Sequence, residues 1–318
     1  MKINLVTPAG KQSRSGNRTT ALRWARILRN LGHRVAINSS DDDKSTDMMV
    51  AVHAWRSAHS IRTFSDRFPE KPLIVLLAGT DIYEFQYTHR EETIDAMTRA
   101  SALVGLHELV YRAIPQPLTH KLHIIYQSSL PLPFPNKPSR RWLDVCVVGH
   151  LRKVKDPLRA ATAANLLPGD SRIRIIHLGK ALNKSWEAQA VEETKNNPRY
   201  IWRGEVTRWE VRRQYARSHA MIISSILEGG ANVISEAIVC KVPVIASHID
   251  GNVGLLGSNY EGYYPPKDAS ALSIVLNRLE REPTFRELLS AQCAKRAELF
   301  TPKNETASWK RLITTIAD

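Results

Sequence analysis

Residues 222–247 read Ile222-Ile-Ser-Ser-Ile-Leu-Glu228-Gly-Gly-Ala-Asn-Val-Ile-Ser-Glu236-Ala-Ile-Val-Cys240-Lys-Val-Pro-Val-Ile-Ala-Ser247. With Met221 in front, the opening run is β-branched, apolar and of strand length, Met221–Ser224. Two glycines interrupt it, and apolar residues then recur at helical spacing over Ala231–Cys240. A second β-branched run, Val242–Ala246, closes the stretch. Strand, glycine turn, helix, strand is a βαβ unit, which implies parallel pairing through a right-handed crossover. The glycines let a ligand approach the unpaired N–H groups at the helix N-terminus, and the positive end of the helix dipole suits a diphosphate. Glu228 stands ahead of that helix, and Glu236 is expected inside it, about two turns along by the 3.6-residue repeat. Taken alone, Glu-Gly-Gly is better read as a plain turn with Glu236 on the surface.

The same alternation runs outward in both directions. Towards the N-terminus, strands are expected at Ile3–Thr7, Arg34–Asn38, Met48–His53, Leu73–Ala78, Ala102–Leu106 and His123–Tyr126, with helices between them. The clearest helix is Arg18–Leu31, with Asn17 as its expected cap and Gly32 as its left-handed stop. Leu22, Ala25, Ile27, Leu28 and Leu31 make its expected buried stripe. Pro131-Leu-Pro-Phe-Pro-Asn-Lys-Pro138 removes ladder donors and stiffens the chain, so it reads as a linker. Beyond it lie strands Leu143–Val148, Ile173–Leu178 and Tyr200–Trp202, with helices Pro157–Leu167, Trp186–Lys195 and Arg208–Arg217. Residues 269–318 are nearly all helical. The expectation is two doubly wound, Rossmann-like α/β domains with a ligand cleft between them: 1–135 plus a tail helix 303–318 crossing back, and 139–302.

Bulk properties limit the function classes. With 318 residues, two domains are the default. A hydrophobic fraction of 43% excludes a disordered chain, and no apolar run approaches the roughly 18 residues of a membrane span, so no stable membrane insertion is expected. The formal charge of +14 is spread along the chain and not gathered into a stripe with interleaved aromatics. It fits a surface attractive to small anions, and no nucleic-acid partner is expected. Cys146, Cys240 and Cys293 are far apart within apolar patterns, which fits buried thiols in a reducing cytoplasm. Asp41-Asp-Asp43 reads as a solvated turn, and no metal or other cofactor is called for.

The stretch 222–247 resembles the signature of the retaining glycosyltransferase family 4, of GT-B fold, and the likeness extends through Trp202-Arg-Gly-Glu-Val206 to a glycine-containing loop at Gly251-Asn-Val-Gly254. The resemblance implies a nucleotide-sugar donor bound by Gly204, Glu205, Glu228, Gly229, Gly230, Ala231, Asn232 and Glu236. In it, Glu236 holds the ribose and Glu228 the donor sugar. It also implies an arginine–lysine pair on the leaving diphosphate. Lys155 occupies the lysine position, His150 stands where the family has arginine, and Arg152 lies two residues on, on the same side of an extended chain. The catalytic set is then Glu228, Arg152 and Lys155.

The first half carries a narrower resemblance. Ser15-Gly-Asn-Arg18 with the helix that follows to Val35, Leu77-Ala-Gly-Thr-Asp81, Gly149-His-Leu-Arg-Lys-Val-Lys-Asp-Pro157 and Leu227-Glu-Gly-Gly-Ala-Asn-Val233 together resemble the selenosugar synthases of selenoneine biosynthesis. That implies a UDP-sugar donor, with N-acetylglucosamine or glucose as the hexosyl unit, and selenophosphate as acceptor, joined through a carbon–selenium bond. The residues agree in kind with an anionic acceptor. The loop Pro8–Arg18 combines glycine, a helix N-terminus and three cations. Its acceptor-binding candidates are Arg14, Gly16, Asn17 and Arg18, joined by Arg56, Thr80 and Asp81 from neighbouring strand ends; Lys11 reads as exposed. An ionised nucleophile needs little general-base help, which suits a chain with no obvious Asp/His pair. The alternatives are a family 4 transferase acting on another sugar, thiol or lipid acceptor, and a non-catalytic nucleotide-sugar-binding protein.

Overall fold

A computed structural model describes residues 1–13, 15–41 and 45–317. They form two compact units: Met1–Gln127 with Glu228–Gly230 and Pro302–Asp318, and Ser128–Leu227 with Ala231–Thr301. Arg14, Asp42 and Asp43 lie outside the described residues.

In the first unit the strands are β1 (Lys2–Val6), β2 (Arg34–Asn38), β3 (Met48–Val52), β4 (Leu73–Leu76), β5 (Ala102–Gly105) and β6 (Leu122–Ile124). They pair in the order β2-β1-β3-β4-β5-β6, all parallel. Both faces are covered, so β3 and β4 are buried along their whole length and read as unbroken apolar runs. The pleat sorts them by face. Met48, Val50 and Val52 enter one cluster with Trp24 and Leu28, while Met49 and Ala51 enter the other with Phe64 and Met97. The helices are α1 (Gly16–Asn30), α2 (Ala58–Arg67), the short α3 (Gln86–Thr88) continuing a π-helical turn Asp81–Phe85, α4 (Arg90–Arg99) and, from the far end of the chain, α12 (Pro302–Ala317).

Helix α1 starts two residues before the expected position. Its cap is Ser15, whose hydroxyl accepts from the Arg18 N–H, so Asn17 sits inside the first turn. Gly32 ends it at φ +91°, and the His33 N–H reaches back to the Leu28 carbonyl. The expected stripe is also rotated: Leu22 is 47% exposed, and Trp24 is buried instead. Trp24 packs edge-on to Trp309 of α12, ring centroids 4.7 Å apart, and its Nε1–H donates to buried Glu305 at 2.9 Å. Arg23 Nε binds the same carboxylate at 3.1 Å.

In the second unit β7 (Leu143–Val148), β8 (Ile173–Leu178), β9 (Tyr200–Trp202), β10 (Ala220–Ile223), β11 (Val244–Ser247) and β12 (Tyr263–Tyr264) pair as β12-β11-β10-β7-β8-β9, again all parallel. Its helices are α5 (Arg159–Asn165), α6 (Lys184–Asn196), α7 (Arg208–Arg217), α8 (Asn232–Val239), α9 (Asp250–Leu256), α10 (Ala269–Arg281) and α11 (Pro283–Arg296). The proline-rich stretch belongs here: the Lys137 N–H donates to the Ala216 carbonyl (2.7 Å) and Arg212 to that of Leu130 (3.0 Å). Two readings need correction. The glycine-containing segment Gly251–Gly254 is the buried helix α9, tied to β11 by Asn252 Nδ2 donating to the Ser247 carbonyl at 2.9 Å. Glu236 lies four residues into α8, about one turn and not two, because the helix starts only at Asn232. Among the described residues no helix is long and apolar enough to cross a membrane.

Candidate functional site

In an open parallel sheet, ligands meet the loops at the carboxyl ends of the strands. In the second unit the central strand β7 delivers Gly149-His150-Leu151-Arg152 to that edge. Gly149 is held from behind. His177 of β8 is buried, with Nε2 at 3.0 Å from the Gly149 carbonyl and Nδ1 at 2.8 Å from the Tyr200 hydroxyl. A carbonyl only accepts, so the ring proton is on Nε2 and the Tyr200 hydroxyl donates to Nδ1. Burial holds the His177 pKa down at about 4, so the ring is neutral at physiological pH.

His150 is fixed in the same way from the other side. Its Nδ1 accepts from the Lys180 N–H at 3.1 Å, which leaves its proton on Nε2. Burial lowers its pKa, Glu205 opposes this, and Arg152, Lys155 and Lys180 add to the lowering. At the carboxyl end of β7 the chain therefore offers a neutral N–H donor. Leu151 is buried and bridges Ala181, and the backbone runs extended through Arg152, which puts His150 and exposed Arg152 on one side of the strand. Lys155 follows in a 3-10 turn. Ser224, just past β10, is within hydrogen-bond distance of the Lys155 (3.0 Å) and Asp156 (2.9 Å) carbonyls, and the Ile226 N–H donates to that of Val154 (2.9 Å). Asp156 closes the turn at φ +43° and pairs with Arg159 at 2.8 Å.

The turn before α8 follows β10. Glu228 is buried, and Gly230 at φ +121° adopts a conformation open mainly to glycine. Ala231 is the N-cap residue, and Asn232 the first of the helix. Half-buried Glu236 has the Tyr215 hydroxyl 3.5 Å from Oε2. Gly204, at φ +67°, accepts from the Gly179 N–H at 2.8 Å and presents exposed Glu205 on the same edge.

In the first unit Gly16, Asn17 and Arg18 form the first turn of α1, which carries no acidic residue. Arg18 Nε is buried without a hydrogen-bond partner, whereas Lys11 is exposed. Arg56 follows β3, the neighbour of β1. Its guanidinium is exposed and rests over the rings of Trp55 and Phe85, 5.8 Å from each centroid, and His89 packs on Trp55 at 4.2 Å. Asp81 is fully buried and accepts from the N–H groups of Ala54, Trp55 and Ala78, so its carboxylate organises the loop. It also contacts His53 Nδ1 at 2.6 Å, with Thr80 Oγ1 3.1 Å from Nε2. The chain therefore does contain an Asp/His pair, contrary to the reading of the sequence.

His53 and His107 were read from sequence only as strand-end loop residues, and His177 only as part of a strand; a place at or near the carboxyl end of a strand is the one local signal available. His107 is fully buried, neither ring nitrogen has a hydrogen-bond partner, and burial holds its pKa down at about 4. The three cysteines are buried and free, and burial raises the pKa of each. Among the described residues no group of three His, Cys, Asp or Glu side chains converges as a metal site.

Residues 135–299 match the family model described as Glycosyl transferases group 1. The putative teichuronic acid biosynthesis glycosyltransferase TuaC of Bacillus subtilis (strain 168) is 22% identical over 285 residues, spanning 83% of this chain and 69% of that protein. Among solved structures, HepE of Anabaena in complex with UDP superposes with a TM-score of 0.78 at 14% identity, over 99% of this chain and 100% of that one. Sucrose-phosphate synthase from Thermosynechococcus elongatus gives 0.76 at 15% identity, over 99% of each chain. With two six-stranded parallel sheets, the fold is the two-domain α/β GT-B architecture.

Proposed function

This chain belongs to the group 1 glycosyl transferases, and from that premise we propose that it moves a hexosyl unit, N-acetylglucosamine or glucose, from a UDP-sugar to selenophosphate, with formation of a carbon–selenium bond. The observation that carries the donor half is the turn after β7. There a neutral N–H donor (His150) and two cations (Arg152 and Lys155) occupy the carboxyl end of the central strand, with the turn anchored by His177 and Ser224. Such a preorganised set acts on the departing diphosphate, whose charge grows as the sugar leaves. Glu236 takes the ribose hydroxyls, and Glu228 the donor sugar. HepE, of the same fold, is described in complex with UDP, which supports that choice of nucleotide.

On the acceptor side, the first turn of α1 with Arg18, and Arg56 after β3, provide N–H groups and guanidinium forks suited to phosphate-type oxygens. The test measures UDP released from UDP-N-acetylglucosamine and UDP-glucose with selenophosphate, thiophosphate, phosphate or a neutral sugar. Turnover restricted to the chalcogenophosphates is expected, with the Michaelis constant for the anion raised in Arg18→Ala. Equal rates with a neutral sugar would end the anion reading and leave the glycosyltransferase intact. The stack of Trp55, Phe85 and His89 favours a second reading, a sugar-ring acceptor, and that neutral-sugar arm decides between the two.

A further inference from the structure

The turns after β3 and β4 hold three side chains in line. Asp81 accepts three backbone N–H groups and meets His53 Nδ1 at 2.6 Å, and Thr80 Oγ1 stands 3.1 Å from His53 Nε2. The Arg56 N–H also lies 3.2 Å from Nδ1, but a ring nitrogen 2.6 Å from a carboxylate oxygen must carry the proton. A ring that carries this one proton keeps its lone pair on Nε2, where the Thr80 hydroxyl donates to it. His53 is only 2% exposed and is held at φ +80°, a conformation that histidine seldom adopts. Asp81 opens a π-helical turn, a rare element often found at functional sites. Thr80 stays partly exposed at the ligand edge of the sheet.

We propose that Thr80, His53 and Asp81 form a proton relay serving an acceptor that arrives with a proton on its attacking group: a chalcogenophosphate carrying its last proton, a thiol or a hydroxyl. The inference rests on the glycosyl-transfer reading and adds the protonation state of the acceptor. As the nucleophile bonds to the anomeric carbon, the carbon–oxygen bond to the diphosphate breaks and its electron pair leaves with UDP. The proton of the nucleophile passes to Thr80 Oγ1, while the hydroxyl proton of Thr80 passes to His53 Nε2. The imidazolium so formed is held by Asp81, and its proton returns to solvent after product release. The other charged or titratable groups on the surrounding segments are Arg56 and His89, which stack on Trp55 and Phe85, and Glu84 and Glu228.

The test compares Thr80→Val, which keeps the shape and loses the hydroxyl, with Thr80→Ser, which restores it. His53→Asn is the third variant, because asparagine tolerates positive φ. With thiophosphate and selenophosphate at neutral pH, Thr80→Val and His53→Asn should lose about 10²–10⁴-fold in turnover. Thr80→Ser should recover most of it, and UDP affinity by calorimetry should be unchanged in all three. The deficit of Thr80→Val should shrink about tenfold per pH unit as the acceptor ionises by itself. Imidazole ¹⁵N spectra should show one Nδ1-protonated ring that disappears in His53→Asn. Wild-type turnover in Thr80→Val, a deficit of the same size at every pH, or a His53 ring protonated on Nε2 alone would each overturn the relay. If the wild type transfers to no chalcogenophosphate, the selenophosphate reading fails by itself. The relay is then read in the slow hydrolysis of UDP-glucose, where water is the proton-bearing nucleophile, and the same order of variants is required.

Discussion

His177 ties the stability of the second unit to pH, and the size of the effect follows from its surroundings. The ring is buried between the Gly149 carbonyl and the Tyr200 hydroxyl, and burial lowers its pKa from 6.5 to about 4. In the unfolded chain the same group titrates near 6.5, so as pH falls the unfolded state takes the proton first. The stabilisation is therefore complete above about pH 6.5, declines as pH falls towards 4, and is constant below that. At about 1.4 kcal/mol per pH unit, some 2–3 kcal/mol should be lost between pH 7.5 and 4.5 through this residue. His177→Gln keeps a donor and an acceptor but does not titrate. Urea unfolding of both proteins across that range, followed by fluorescence of the second unit's tryptophans, should show the variant losing about 2–3 kcal/mol less than the wild type. Parallel stability curves would refute the argument, since they would mean that the ring is solvated and titrates alike in the folded and unfolded chain.

Glu236→Ala should weaken UDP binding by about 1.5–3 kcal/mol, tenfold or more, by removing a charge-assisted acceptor for the ribose diol; unchanged calorimetry would remove that role. Lys155→Ala and Arg152→Ala should lower turnover more than donor affinity, because the diphosphate gains charge in the transition state, and full activity in both would place the clamp elsewhere. Glu305→Ala should destabilise the first unit by about 3–5 kcal/mol, since it strips the buried Trp24 N–H and Arg23 of their shared carboxylate. A variant melting at the wild-type temperature would show that α12 contributes little there.

Local pattern made much of the fold legible. Runs such as Met48–Val52 and Leu143–Val148 are strands because β-branched and apolar residues fill a pleat buried on both faces, and that requirement is written in consecutive residues. Ends were less legible. Asn17 and Ser15 are both good caps, and only the contact between the Ser13 and Ser15 hydroxyls, at 3.0 Å, decides for Ser15. Gly251 and Gly254 were expected in a loop through the family resemblance; they lie in the buried helix α9, where burial overrides the low helix preference of glycine.

By itself the sequence determined the alternation of strand and helix, the glycine turn ahead of α8 with its two glutamates, and the cationic segment after β7, because each is a property of neighbouring residues. Tertiary structure alone decided which polar groups meet. His53 and Thr80 are 27 residues apart and Trp24 and Glu305 are 281 apart, yet each pair is in hydrogen-bond contact. Parallel strands bring distant carboxyl ends together in an order set by the sheet, and no local periodicity encodes that order. The charge state of His177 was equally invisible in the chain. It depends on burial and on two partners supplied by other strands, and desolvation exists only once those strands have closed around the ring.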